Sequence, residues 1–141
     1  MILGIGTDLA SIERIAGVLE EHGNRFIERC FGPEEAGKVE KQAAGNIQLR
    51  AAGYAKRWAA KEACAKALGL GIRNDIYLKD IVVVNNPDGA PHLALSGGAK
   101  ERLTAITPEG MTAHIHISLT DEAAMALAFV VISCEISGER A

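Results

Sequence analysis

Apolar positions along the chain change period several times, and each change predicts an element. Ile2, Leu3, Ile5 and Leu9 form a short apolar opening segment that holds Gly4 and Gly6. It predicts a first strand, and because glycine weakens a strand, the pair predicts close approach by another backbone or by a ligand. Ser11 then offers an N-cap, and Ile12, Ile15, Ala16 and Leu19 recur at helical spacing until Gly23. A short helical segment follows from Asn24 to Cys30. Gly32-Pro33-Glu34-Glu35 reads as another helix start, with proline in the first turn and acids at the positive end of the dipole. Gly45 and Gly53 bracket Asn46 to Ala52, where the pattern leaves helix continuity open. From Tyr54 to Leu68 it predicts helix, carried by Ala55, Trp58, Ala59, Ala63 and Ala67 and stopped by Gly69 and Gly71.

Strand signals dominate the second half. Ile81 to Val84 is a β-branched run, Asn85-Asn86-Pro87-Asp88-Gly89 is turn chemistry, and His92 to Leu95 is again extended, which predicts a hairpin. A helix is expected from Gly98 to Ile106. Thr112 to Leu119 alternates His114 and His116 with Ile115 and Ile117, as a half-buried strand does. Ala126 to Ser133 is a nearly continuous apolar strand, and Thr120-Asp121-Glu122 is the expected turn before it. The result is one α+β domain over residues 1–141.

Composition narrows the function classes. The 141 residues are 48% hydrophobic but only 4% aromatic, with 15 glycines, a balance that favours close packing of small side chains. The net charge of -3 lacks the basic excess expected of a nucleic-acid binder. Cys30, Cys64 and Cys134 form no C-x-x-C pair and read as reduced thiols of a cytoplasmic protein. The N-terminus has no basic n-region, and the most apolar stretch, Ala123 to Cys134, falls short of the roughly 20 residues a membrane span needs. Neither nucleic acid nor membrane is an expected partner.

Few residues then remain for chemistry. Asp8, at the end of the glycine-containing strand, is either a ligand for a hard cation or a turn aspartate before the first helix. Glu62 and Lys66 share a helix face at i, i+4, the spacing of an ordinary solvated ion pair contributing a few tenths of a kcal/mol. Arg57 and Lys61 make a cationic stripe on a neighbouring face. Such a stripe beside a carboxylate suits a phosphate–metal site, and equally a plain surface helix. Gly69-Leu70-Gly71 offers backbone N–H groups to phosphate or simply ends the helix; it is no P-loop. His114 and His116 lack zinc-site spacing, and Ser118 has no G-x-S-x-G context.

Weak singly, these signals gain force from their order. Gly4-Ile5-Gly6-Thr7-Asp8, Ile12-Glu13-Arg14-Ile15, Arg57-Trp58-Ala59-Ala60-Lys61-Glu62-Ala63 with Lys66-Ala67 and Gly69, Gly71-Ile72-Arg73-Asn74, Gly89-Ala90-Pro91 and His116-Ile117-Ser118-Leu119-Thr120 follow one another along the chain. In this the sequence resembles the bacterial holo-acyl-carrier-protein synthase family of 4'-phosphopantetheinyl transferases, from residue 2 to about 133. Trp58 stands where phenylalanine is common, Leu70 replaces a usually polar residue, and the stretch 42–53 matches poorly.

The resemblance implies a small antiparallel sheet packed with one long and several short helices. It also implies a cytoplasmic, Mg²⁺-dependent transfer of phosphopantetheine from coenzyme A to a serine of apo acyl carrier protein. Adenosine 3',5'-bisphosphate leaves, and the reaction supports fatty acid biosynthesis. On this reading Asp8 and Glu62 hold the metal, Glu62 takes the serine proton, and Lys66 stabilises the transition state or assists proton transfer. Arg57, Lys61, Gly71, Pro91 and His116 contact coenzyme A, while Arg14, with Arg25 and Arg29, docks the acidic carrier. The resemblance further implies a homotrimer with active sites between subunits.

Overall fold

The apolar segments at the two ends of the sequence meet in one sheet. β1 (Ile2–Ser11) pairs antiparallel with β5 (Met125–Ile136), from Ile2 opposite Ser133 to Ser11 opposite Met125. β4 (Met111–Glu122) pairs antiparallel with the other edge of β5, giving the order β1-β5-β4. The ammonium of Met1 prolongs the ladder by donating to the Cys134 carbonyl at 2.6 Å. The computed structural model describes residues 1–73 and 76–138.

The helices lie between these strands in sequence. α1 (Ile12–His22) starts on Ser11, whose hydroxyl accepts from the Arg14 N–H at 3.2 Å, and it buries Ile15 and Leu19. α2 (Asn24–Cys30) and α3 (Pro33–Ala43) follow. α4 (Ile47–Ala67) is the long helix, capped by Asn46 Oδ1 accepting from the Leu49 N–H at 2.9 Å. It runs through Gly53 without a break, which closes the question the sequence left open. Gly53 sits where α3 crosses: a Cβ there would come within 2.8 Å of Val39 Cγ1. A 3₁₀ turn (Leu78–Asp80) leads into the hairpin of β2 (Ile81–Asn85) and β3 (Pro91–Leu95), and α5 (Gly97–Ile106) precedes β4. The α+β architecture expected from the sequence is the one observed.

α4 lies directly against the sheet, and β1 shows why its glycines are needed. A Cβ on Gly4 would overlap the carbonyl oxygen of Ala67, and one on Gly6 that of Ala63. The group that approaches the strand is therefore the α4 backbone, not a ligand. Ala59, Ala60, Ala63 and Cys64 of α4 and Ala126, Ala128, Val130 and Ile132 of β5 are fully buried. Burial pushes the Cys64 thiol up to about 12, so it packs as a small apolar group.

One expected turn is displaced. Thr120-Asp121-Glu122 belongs to β4, with Glu122 opposite Met125, and the reversal falls on Ala123 and Ala124. Ala123 adopts a φ of 53°, which a β-carbon disfavours. Tertiary partners override the local turn chemistry here. Asp121 pairs with Lys56 of α4 at 3.1 Å, and the Ala124 carbonyl accepts from the Ile12 N–H at 2.9 Å. Among the described residues no helix is long and apolar enough to cross a membrane.

Candidate active site

The close seating of α4 on β1 places Asp8 beside the charged end of the helix. Along β1, Asp8 shares a strand face with the buried Gly6 and Ala10, so its carboxylate projects toward α4 and its side chain is only 17% exposed. Lys66 reaches across from α4 and donates to Asp8 Oδ1 at 3.0 Å and to the Thr7 carbonyl at 2.9 Å. Its partner is thus on the neighbouring strand rather than four residues back on its own helix. Glu62 completes the group. Burial pushes its carboxyl above the ordinary value, the Asp8 charge adds to that rise, and Lys66 offsets part of it.

Two carboxylates and one ammonium leave this cluster with an excess of negative charge in a partly desolvated position. That is the electrostatic condition for a hard cation, which prefers carboxylate oxygens on rigid elements. Among the described residues no group of three or more His, Cys, Asp or Glu side chains could hold a metal. Two protein carboxylates suit Mg²⁺, which keeps waters and takes substrate phosphate oxygens for the rest of its coordination. The residues present therefore fit the ion.

The stripe of Arg57 and Lys61 faces inward, and the coenzyme A contact expected of Lys61 is set against the partners its ammonium already has. Lys61 is fully buried. Its ammonium donates to Glu35 Oε2 at 2.9 Å, to the Leu78 carbonyl at 3.1 Å and to the Ile81 carbonyl. An ammonium has three N–H donors, so none is left for a phosphate. Arg57 differs. It is 6% exposed, its Nη1 donates to the Gly53 carbonyl at 3.2 Å, and its Nε has no partner. Burial lowers its pKa and Glu35 opposes that. A buried guanidinium with unused donors is well suited to a phosphate oxygen.

The glycine turn is also committed. The Gly69 N–H donates to the Lys66 carbonyl at 2.9 Å and the Gly71 N–H to the Ala65 carbonyl at 3.0 Å, so both amides cap α4 and neither is free for phosphate. Contact of Gly71 with coenzyme A would therefore run through its backbone surface rather than its N–H. Asn74, part of the matched motif, lies outside the described residues.

Pro91 opens β3 on the hairpin. His116 does not join the Asp8–Glu62–Lys66 group within the chain. It occupies an exposed position on β4, on the sheet face opposite α4, with Nε2 2.9 Å from Ser133 Oγ. Arg14 on α1 and Arg25 and Arg29 on α2 are all exposed. Arg14 borders a cleft of about 180 Å³ lined also by Leu9, Val18, Phe26 and Trp58. Trp58 stacks at 5.8 Å from Phe26, so the exchange for phenylalanine keeps an aromatic wall.

Two residues of the framework escaped the sequence reading. Glu35 showed only as an acid in the first turn of α3, where Oε2 accepts from the Gly32 N–H at 3.1 Å. Its buried partner Lys61 is too distant in sequence to be seen by local spacing. Arg102 of α5 donates Nε–H to the Leu68 carbonyl at 2.9 Å and so secures the C-terminal end of α4; nothing in its local pattern marks it.

Comparison with known proteins agrees with the motif order. The family model described as the 4'-phosphopantetheinyl transferase superfamily matches residues 4–128. A holo-[acyl-carrier-protein] synthase of Rhodopseudomonas palustris strain TIE-1 is 57% identical over 133 residues, covering 94% of this chain and 90% of the relative. The crystal structure of the holo-[acyl-carrier-protein] synthase from Neisseria meningitidis superposes with a TM-score of 0.75 at 34% identity, covering 94% of this chain and 99% of that one. The Helicobacter pylori holo-[acyl-carrier-protein] synthase, solved in complex with coenzyme A, gives a TM-score of 0.73 at 30% identity over 92% of this chain and 99% of its own. Matching motifs, fold and near-complete mutual coverage together show that this chain belongs to the 4'-phosphopantetheinyl transferase superfamily, as an enzyme of the holo-[acyl-carrier-protein] synthase type.

Proposed function

We propose that the enzyme transfers 4'-phosphopantetheine from coenzyme A to a serine of an apo acyl carrier protein in the cytoplasm, in support of fatty acid biosynthesis. The serine oxygen bonds to the phosphorus joined to pantetheine, the pyrophosphate P–O bond breaks, and adenosine 3',5'-bisphosphate leaves. The observation that carries this reading is the group of Asp8, Glu62 and Lys66, set across the β1–α4 contact within the family's motif order.

Asp8 and Glu62 would hold Mg²⁺, which when bound neutralises charge on the pyrophosphate. Glu62 has the raised pKa of a carboxylate suited to take the serine proton. Lys66, paired with Asp8, has a half-exposed side chain able to turn toward a developing phosphate charge. Arg57 supplies further donors from the buried side of α4. The cleft beside Arg14, with Arg25 and Arg29 on the next helix, supports docking of an acidic carrier protein. A homotrimer, with His116 and Pro91 brought to coenzyme A at the subunit boundaries, is supported by the open apolar face of the sheet.

The test is the intact mass of an apo acyl carrier protein after incubation with the enzyme, coenzyme A and Mg²⁺, with an EDTA control. A gain of one phosphopantetheine that EDTA abolishes is expected. Coenzyme A binding without any mass gain would instead describe a binding module. Release of free phosphopantetheine without a carrier would describe a hydrolase.

A further inference from the structure

The Lys61–Glu35 pair takes no part in the chemistry proposed above, yet it occupies the middle of the molecule. Both side chains have no solvent exposure. Besides Lys61, Glu35 accepts from the Gly32 N–H through Oε2 and from the Val83 N–H through Oε1, each at 3.1 Å. The Lys61 ammonium also lies 5.2 Å from the centre of the Phe31 ring. One ion pair thus joins α3, α4, the 3₁₀ turn and β2.

Its cost argues for a use beyond stability, since well-packed apolar residues commonly replace a buried ion pair at no loss. The acceptors reveal that use. Leu78 and Ile81 bracket the entry into the β2–β3 hairpin, and their carbonyls point at α4 rather than along the hairpin ladder. An apolar side chain could fill the volume of Lys61 but could not satisfy these carbonyls. Glu35 gives Lys61 the counter-charge it needs in the core and at the same time binds the outer edge of β2 through Val83.

Resting on the transferase reading above, we propose that Lys61 is a positioning residue. By holding the Leu78 and Ile81 carbonyls against α4, it fixes the hairpin that carries Pro91, so that coenzyme A meets a wall already in place.

Three proteins test this. Lys61→Met alone leaves Glu35 charged and unpaired, and its melting temperature should fall by about 10 °C. The double variant Glu35→Gln with Lys61→Met removes both charges and should recover most of that loss, while Leu78 and Ile81 still lack their donor. Its KM for coenzyme A should be raised ~10-fold or more with kcat changed far less, and its hairpin amides should exchange faster than those of the wild type. A double variant with wild-type KM and wild-type exchange would overturn the proposal and leave the pair a purely structural one. Should that variant fail to fold, Lys61→Arg serves instead. It keeps a charge beside Glu35, but a planar guanidinium cannot aim three donors from one nitrogen, so the same rise in KM is expected and an unchanged KM refutes the idea. If the wild type itself transfers nothing, the transferase reading falls, and amide exchange over β2 and β3 still decides whether Lys61 positions the hairpin.

Discussion

Glu62 stands at the point where stability and chemistry oppose each other. Folding holds its carboxyl above the ordinary carboxylate range, through burial first and the Asp8 charge second. A carboxyl raised on folding binds protons more readily in the native state, so stability is lost as pH rises from the unfolded value through the folded one. At neutral pH without metal, the ionised Glu62 is therefore a liability. Glu62→Gln should raise the melting temperature in EDTA at pH 7 by roughly 2 °C, yet lower transfer by about 100-fold or more. A lower melting temperature would mean that Lys66 already neutralises the pair. The types and order of Asp8, Glu62 and Lys66 were legible in the sequence because a motif fixed them. The direction in which Lys61 points was not, since Arg57 and Lys61 at i, i+4 look the same whether their shared face meets water or β2. Only Glu35, brought in from another helix, decides it.

Elements were legible where local chemistry is decisive and obscure where a neighbour decides. Ser11, Pro33 and Gly23 marked helix ends because caps act within one turn. The stretch 46–52 stayed open because Gly53 answers to Val39 on α3, and the β4–β5 turn was misplaced because Lys56 and Ile12 hold it. The same distinction predicts opposite effects for one substitution. At Gly6 a Cβ would overlap the Ala63 carbonyl, whereas at Gly17, on the exposed side of α1, it would meet nothing within 4 Å. Gly6→Ala should therefore destabilise by about 1–3 kcal/mol or more as α4 is forced off the sheet. Gly17→Ala should stabilise by up to about 1 kcal/mol through helix propensity alone. Thermal or denaturant melts of the two variants check this, and equal shifts would mean that α4 is less closely seated on β1 than the geometry shows.

At the scale of the whole molecule, the sheet has one covered face and one open one. α4 covers the first. On the second, Leu9 pairs opposite Leu127 and Thr7 opposite Phe129, and Ile5, Leu9, Leu127 and Phe129 are 58%, 61%, 36% and 40% exposed. Contiguous apolar exposure of this kind is unusual on a monomer and marks a contact surface. His116 shares that face while Glu62 lies beyond the other, so one chain cannot bring both to one ligand. Subunits packed through the open face could, which is the physical content of the proposed trimer. Phe129→Glu puts a charge at the centre of the face without touching the monomer core. It should yield a folded monomer by sedimentation velocity, with transfer lost. Mixing provides the sharper measurement. Glu62→Gln and His116→Ala, each impaired alone, should regain activity when unfolded together and refolded as mixed assemblies, because some boundaries then pair an intact Glu62 with an intact His116. Absence of recovery, together with full activity of the Phe129→Glu monomer, would place the complete site within a single chain and leave the open face to another partner.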